Sequence, residues 1–202
     1  KQKTAYEIHE RLVGSEMCIR DRGQNDDAIN CFKNAVELNS RYTEANYSLA
    51  LMLHDKGLLE EAVQSYQVVI EEKSKFSEAW YNLGSAYKEL NQNDAAISCF
   101  KQAIAIKPNF IEAFNELGNL YSDLGDTTAL NYFDKAISLD GDSATLHFNI
   151  GNAFRKLSFI DNAIKSYQKA ISINPDYYEA LNNLGYLLKS RGENTIAIKS
   201  FK

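Results

Sequence analysis

The residues best suited to chemistry in this 202-residue chain are asparagines. Asn149 and Asn183 stand 34 places apart, and Asn82 stands at nearly twice that interval before Asn149. One place earlier in the same register come Tyr47, Tyr81, Asn115, Phe148 and Asn182. A primary amide offers both a donor and an acceptor. A row of amides therefore suits the main chain of an extended peptide, which presents the same groups whatever its side chains. Aromatic rings beside them add contact area at low entropic cost. Catalytic chemistry finds less to work with. His9, His54 and His147 are scattered and belong to no HExxH or Cys cluster. Asp140-Gly141-Asp142 has the outline of a metal-binding DxD, but a turn is the better reading for those residue types at that place. P-loop, GxGxxG and GxSxG patterns are all missing from the sequence. No catalytic residue, cofactor or metal ligand is expected.

The elements that must position the asparagines follow from self-similarity at a 34-residue period. Residues 77–110 contain Trp80-x2-Leu83-Gly84-x2-Tyr87, then Ala96-x3-Phe100, then Pro108. A small residue recurs at the eighth place: Ala50, Gly84, Gly118, Gly151 and Gly185. An alanine recurs at Ala28, Ala62, Ala96, Ala129, Ala163 and Ala197, followed four places later by Phe32, Tyr66, Phe100, Phe133, Tyr167 and Phe201. Within 77–110 the first apolar stripe has helical spacing, and so does the second, formed by Ala96, Ile97, Phe100, Ala103 and Ile104. Asn91-Gln92-Asn93 predicts the turn between them, and Pro108 the stop. One such pair cannot bury its apolar face alone, whereas stacked pairs can.

In order and spacing these residues resemble the signature of the tetratricopeptide repeat (TPR) family. The resemblance covers about residues 23–202, in units 43–76, 77–110, 111–143, 144–177 and a cut-off 178–202, with a degenerate earlier unit near 9–42. It implies an all-α fold, a right-handed superhelical solenoid of antiparallel helix pairs. The 33-residue third unit is expected to lose its residue in the turn after Gly125-Asp126. His147 takes the place of Trp80 in its neighbour, so a packing role is expected for it rather than ligation.

In that family the first helices line a concave groove, and particular places of each helix face the opening. Carried onto this sequence, those places hold Tyr47, Tyr81, Asn82, Asn115, Asn119, Phe148, Asn149, Asn152, Arg155, Lys156, Asn182, Asn183, Tyr186 and Lys189. The Asn-Leu-Gly style of repeat is similar to the arrays of O-GlcNAc transferases and related bacterial fusions, where an asparagine ladder holds substrate peptide. Asn82, Asn149 and Asn183 match the ladder, while Ser48 and Glu116 interrupt it. The resemblance implies a protein–protein interaction scaffold that binds an extended peptide in the groove. The alternative is the N-terminal recognition arm of a larger glycosyltransferase or sulfotransferase, with its catalytic domain beyond Lys202. A clamp for C-terminal carboxylates needs lysines where Tyr47, Tyr81 and Asn115 stand, so that ligand is excluded.

Charge narrows the partners. The net charge of −5 argues against bulk nucleic-acid binding. Residues 43–143 carry seven basic and sixteen acidic groups, residues 144–202 eight basic and four acidic. The expected ligand is a peptide whose acidic part lies over the last two repeats. The apolar runs are too short for a membrane span. Cys18, Cys31 and Cys99 form no CxxC and are expected as free thiols in a reducing, cytoplasmic setting.

Both ends carry expectations of their own. Val13 to Arg22 resembles translated sequencing-adapter DNA, so residues 1–22 are expected to be non-native or a degenerate terminal segment, and their deletion to cost little stability. Ala197, Ile198 and Phe201 belong to a second helix that is cut short, from which weak self-association is expected.

Overall fold

The computed structural model describes residues 25–192, and the expectations for residues 1–22 and for Ala197, Ile198 and Phe201 lie outside that range. The described residues form ten α-helices and no strands. The chain divides into two compact units, residues 1–106 and 107–202. The first contains α1 (Asn25–Leu38), α2 (Thr43–Asp55), α3 (Leu59–Glu72), α4 (Ser77–Glu89) and α5 (Asn93–Ile106). The second contains α6 (Ile111–Asp123), α7 (Ala129–Leu139), α8 (Ala144–Lys156), α9 (Ile160–Ile173) and α10 (Tyr178–Ser190).

Three-residue connections join α2 to α3, α4 to α5 and α8 to α9, which turns each pair antiparallel. The fifteenth place of every repeat holds the turn residue in the left-handed region: Gly57, Asn91, Gly125, Ser158 and Gly192, at φ 59° to 80°. Each first helix thereby closes on itself, as in Gln92 N–H to Tyr87 O at 2.8 Å and Phe159 N–H to Phe154 O at 2.8 Å. These are the six-to-one bonds of a left-handed helix cap. Glycine or asparagine is the usual solution there, because a Cβ opposes positive φ.

The one-residue deletion in the third repeat is accommodated within a helix. The connection 124–128 is longer than its counterparts, and α7 has 11 residues where α3, α5 and α9 have 14. Ala129, Leu130 and Asn131 donate to the carbonyls three residues back, so the first turn is wound tighter than an α-helix. Asp126 Oδ1 accepts from the Thr128 amide at 2.7 Å and anchors that turn. Hydrogen bonding from the Thr128 side chain, and then from its amide, lowers the Asp126 pKa.

Packing within each pair depends on the eighth place of the first helix and the aromatic of the second. Gly84, Gly118 and Gly151 have no room for a side chain: a Cβ would come within 2.9 Å of Phe100, 2.7 Å of Phe133 and 2.6 Å of Tyr167. Tyr66, Phe100, Phe133 and Tyr167 are among the most deeply buried large side chains. Around them the repeated alanines Ala62, Ala96, Ala129 and Ala163 are fully buried.

A second recurrent feature ties the first helix to the loop before it. At the fourth place, Asn46 Nδ2 donates to Ser40 O at 3.0 Å, Trp80 Nε1 to Ser74 O at 2.9 Å, and His147 Nε2 to Gly141 O at 3.0 Å. Three different side chains satisfy a carbonyl six residues back. His147 is thus a structural donor within the Asp140-Gly141-Asp142 turn, and Asp140 Oδ1 accepts from the Asp142 amide at 3.1 Å. Among the described residues no group of three or more His, Cys, Asp or Glu side chains is placed to hold a metal. Cys31 is an exposed thiol and Cys99 a buried one.

The close approach predicts an order of sensitivity to glycine substitution. Alanine gains roughly 1 kcal/mol of helix propensity over glycine, while overpacking costs about 1–3 kcal/mol. Phe100 is held by packing alone, and Ala50 already occupies the eighth place opposite Tyr66. Tyr167 is tied by its hydroxyl to Asn152 at 2.7 Å and cannot retreat without losing that bond. Gly84→Ala should therefore be near neutral and Gly151→Ala destabilising by roughly 1–2 kcal/mol. Urea denaturation of the two variants checks the order.

Candidate peptide-binding surface

The candidate site lies on the first helices of the repeats, and each unit carries its own part. In residues 1–106 these are α2 and α4. Asn82 Nδ2 on α4 donates to the Tyr47 hydroxyl on α2 at 3.0 Å. The Tyr47 ring lies 4.8 Å from Phe76 and 6.2 Å from Tyr66. Burial raises the Tyr47 pKa, the nearby Glu78 charge adds to this, and the Asn82 bond opposes it. Tyr81 rests 5.5 Å from the Phe100 ring.

In residues 107–202 the corresponding helices are α6, α8 and α10. Asn149 Nδ2 donates to Asn115 Oδ1 at 3.1 Å, and Asn183 Nδ2 to Asn152 Oδ1 at 3.0 Å. Phe148 packs 5.9 Å from Tyr167 and 5.0 Å from Tyr177. Asn119 and Asn152 are half-buried, while Asn182, Tyr186 and Lys189 are exposed, Tyr186 to 69%.

Asn82 and Asn149 of the sixth place bond the fifth-place side chain of the preceding repeat, and Asn183 bonds the ninth-place Asn152 and the Tyr167 hydroxyl. Each reaches back to the first helix of the preceding repeat and bonds a polar side chain there. The amides of the sixth place are therefore lateral ties between neighbouring helices.

Two residues read from the sequence only as repeat aromatics lie beneath this surface and bond to its polar groups. Tyr66 and Tyr167 stand on the second helices, where other repeats have Phe100 and Phe133. Their rings fill the core, and their hydroxyls, buried with them, bond to polar side chains of the first helices. The Tyr167 hydroxyl donates to Asn152 Oδ1 at 2.7 Å, accepts from Asn183 at 3.4 Å, and has the Arg155 guanidinium beside it. The Tyr66 hydroxyl lies 3.5 Å from His54 Nδ1, whose Nε2 is 3.1 Å from Glu89. The usable signal was Tyr in place of Phe at one register position.

Charges at the end of the first helices are paired between neighbours. Lys156 forms an ion pair with Asp123 of the preceding repeat. At the opposite end, Glu44 at the start of α2 accepts at 2.6 Å from Lys73, just past α3 of the same repeat. Such exposed pairs contribute roughly 0–1 kcal/mol and exchange readily with a competing partner.

Burial dominates the titration of the groups beneath this surface. It raises the pKa of Tyr66 and Tyr167, the latter against the pull of Arg155 and Asn183. It lifts the Cys99 thiol to about 11.

Helix pairs of near-constant length, joined by tight left-handed turns and clamped by an aromatic on a small residue, define an α-helical repeat protein. The chain belongs to the tetratricopeptide repeat family: the family descriptions "Tetratricopeptide repeat" and "TPR repeat" match residues 20–77 and 111–143, and residues 84–125 and 151–192, respectively. Small glutamine-rich tetratricopeptide repeat-containing protein 2 of Saccharomyces cerevisiae is 30% identical over 74 residues, 37% of this chain and 21% of that protein. The chain thus spans about a fifth of the length of that curated relative. The crystal structure of MamA protein shares 25% identity with a TM-score of 0.76, over 86% of this chain and 95% of that one. A TPR protein from Parabacteroides merdae shares the fold at 21% identity, with a TM-score of 0.84 over 96% of this chain and 77% of the other. So does YrrB, described as a TPR protein with an unusual peptide-binding site, at 22% identity and a TM-score of 0.66 over 84% and 88%. No described helix is long and apolar enough to cross a membrane.

Two outcomes follow. A neutral hydrogen bond contributes about 0.5–1.5 kcal/mol, so Asn149→Ala and Asn115→Ala should each destabilise the chain by about that much. The double variant should cost little more than either alone, and a denaturation cycle on the four proteins reads the coupling. The second outcome concerns alkali. Cys99, Tyr66 and Tyr167 hold their protons more tightly folded than unfolded, so stability is full below about pH 8.5 and falls as pH rises. The Cys99 share is lost up to about 11, with the tyrosine share following from about pH 10 upward. Urea midpoints across this range should decline, and Cys99→Ala should flatten the first part of the decline.

Proposed function

We propose that this chain is a protein-interaction scaffold whose first-helix face binds an extended peptide by its main chain. The observation that carries the reading is the amide repeated at the sixth place of its helix, Asn82 in one unit and Asn149 and Asn183 in the other, each half-buried and flanked by an aromatic or amide neighbour. Each amide has two N–H groups and an acceptor oxygen. The lateral ties of Asn82 and Asn149 use one N–H apiece, which fixes the side chain and orients the rest of the amide. A donor already held in place loses less entropy on binding than one that must be ordered.

In residues 107–202, Arg155 and Lys189 add positive charge beside Asn152, Asn183 and the exposed Tyr186. The Lys156 pair with Asp123 can open toward a ligand carboxylate at small cost. This supports an acidic segment as the ligand over α8 and α10. MamA and YrrB support the scaffold reading at the level of the shared architecture.

Fluorescence anisotropy with labelled extended peptides tests the reading. Tyr186→Ala should weaken binding of unrelated peptides by similar factors, since it removes contact area and no lateral tie. Arg155→Glu with Lys189→Glu should act selectively on acidic peptides, with an effect that shrinks in high salt. Equal affinity of the Tyr186 variant and the parent would sink the reading.

A further inference from the structure

A cleft of about 250 Å³ opens among α7, α8 and α9, lined by second-helix residues and by His147. Its floor is apolar: Leu130, Phe133 and Ile137 from α7, Ile150 and Phe154 from α8. Lys165 and Lys169 line it from α9, with Asp134 the one acid among the described lining residues. The two lysines are four residues apart and so share one helix face.

The cleft has two structural origins. At the fourth place of its repeat, His147 makes the bond that Trp80 makes in the second full repeat, to a carbonyl six residues back. The imidazole keeps the bond but lacks the bulk of the indole. The carbonyl of Gly141 can only accept, so the bond fixes a proton on Nε2 and holds the ring toward the loop. The second origin is α7, which begins late because its first turn is tightened.

We propose that this cleft takes one apolar anchor side chain from a partner peptide whose flanking residues are acidic. Size decides against a cofactor-like ligand: small-molecule pockets span about 300–1,000 Å³, and this cleft falls below them while having room for a leucine or phenylalanine side chain. An apolar floor with charges at its edge is the arrangement of an interface hot spot, where a buried anchor supplies affinity and rim charges supply orientation. The two lysines outnumber Asp134, so the complementary flank is acidic. This surface is distinct from the first-helix face, and the proposal does not rest on the binding read there.

The test uses the full chain and fluorescein-labelled eight-residue peptides of Asp and Glu around a central Leu, Ile or Phe. Controls carry a central Ala, or Lys flanks. The apolar-centred acidic peptides should bind, the Ala centre should weaken binding at least about tenfold, and the Lys flanks should abolish it. His147→Trp should fill the cleft and remove binding while the thermal melt stays intact, since Trp80 already occupies the same place in another repeat. Lys165→Glu with Lys169→Glu should weaken binding at least about tenfold, mostly at low salt, without touching the core. The proposal fails if no peptide binds at about 1 mM, or if affinity ignores the central residue. It also fails if His147→Trp and the lysine pair both bind like the parent. Loss of binding on Tyr186→Ala but not on His147→Trp would place the peptide on the first-helix face and likewise overturn it.

Discussion

The repeat depends on how near two helices can come. At the eighth place of the first helix the aromatic ring of the second occupies the volume a Cβ would need, down to 2.6 Å at Gly151. Dispersion contacts are individually small and fall away with a gap of less than an ångström. The stability of each pair therefore rests on keeping the eighth place small and the aromatic large. The alanines four places before the ring on the same helix are fully buried as well. Once the pair is that tight, the turn between its helices has little freedom, and the left-handed fifteenth residue follows in all five described repeats.

The helical architecture was legible in the sequence because periodicity encodes it directly. Gly84, Ala96 and Phe100 at fixed offsets report a crossing, and the observed first helices begin at residues 43, 77, 111, 144 and 178. Less legible was anything that depends on the lateral offset between neighbours. The sequence places Asn149 and Asn115 in successive repeats, but only coordinates bring one amide to 3.1 Å from the other. The ion pair of Lys156 with Asp123 was hidden for the same reason. Tyr66 and Tyr167 read as core aromatics, which they are, and only the coordinates show their buried hydroxyls bonding to His54, Asn152 and Asn183. The missing residue of the third repeat pointed to the stretch after Gly125-Asp126, and there the backbone tightens into the start of α7, a form the sequence does not specify.

The polar groups on the first helices have one observed use, and the peptide binding proposed for them would draw on it. A tie between adjacent first helices sets the register of neighbouring repeats, and repeat proteins draw much of their cooperativity from such nearest-neighbour terms. The same tie removes rotamer freedom from the amide. A ligand meeting Asn149 or Asn183 encounters a side chain already ordered by the fold, as it would at a preorganised site. Tyr167 extends this to the interior: one residue fills the gap beneath Gly151 and also accepts from Asn183 through its hydroxyl.

The bond from the fourth place to the carbonyl six residues back separates attachment from bulk. Asparagine, tryptophan and histidine all make it, at 2.9–3.0 Å, although they differ greatly in volume. The loop is therefore anchored by any of these donors, and the hollow behind the anchor can be deepened or closed by exchanging one residue. In effect these three repeats carry an adjustable socket on a fixed mount, while Phe114 and Leu181 at the same place have no donor to make the bond. A change there leaves the register of the neighbours untouched, so binding relief can vary from repeat to repeat on a framework whose dimensions stay the same.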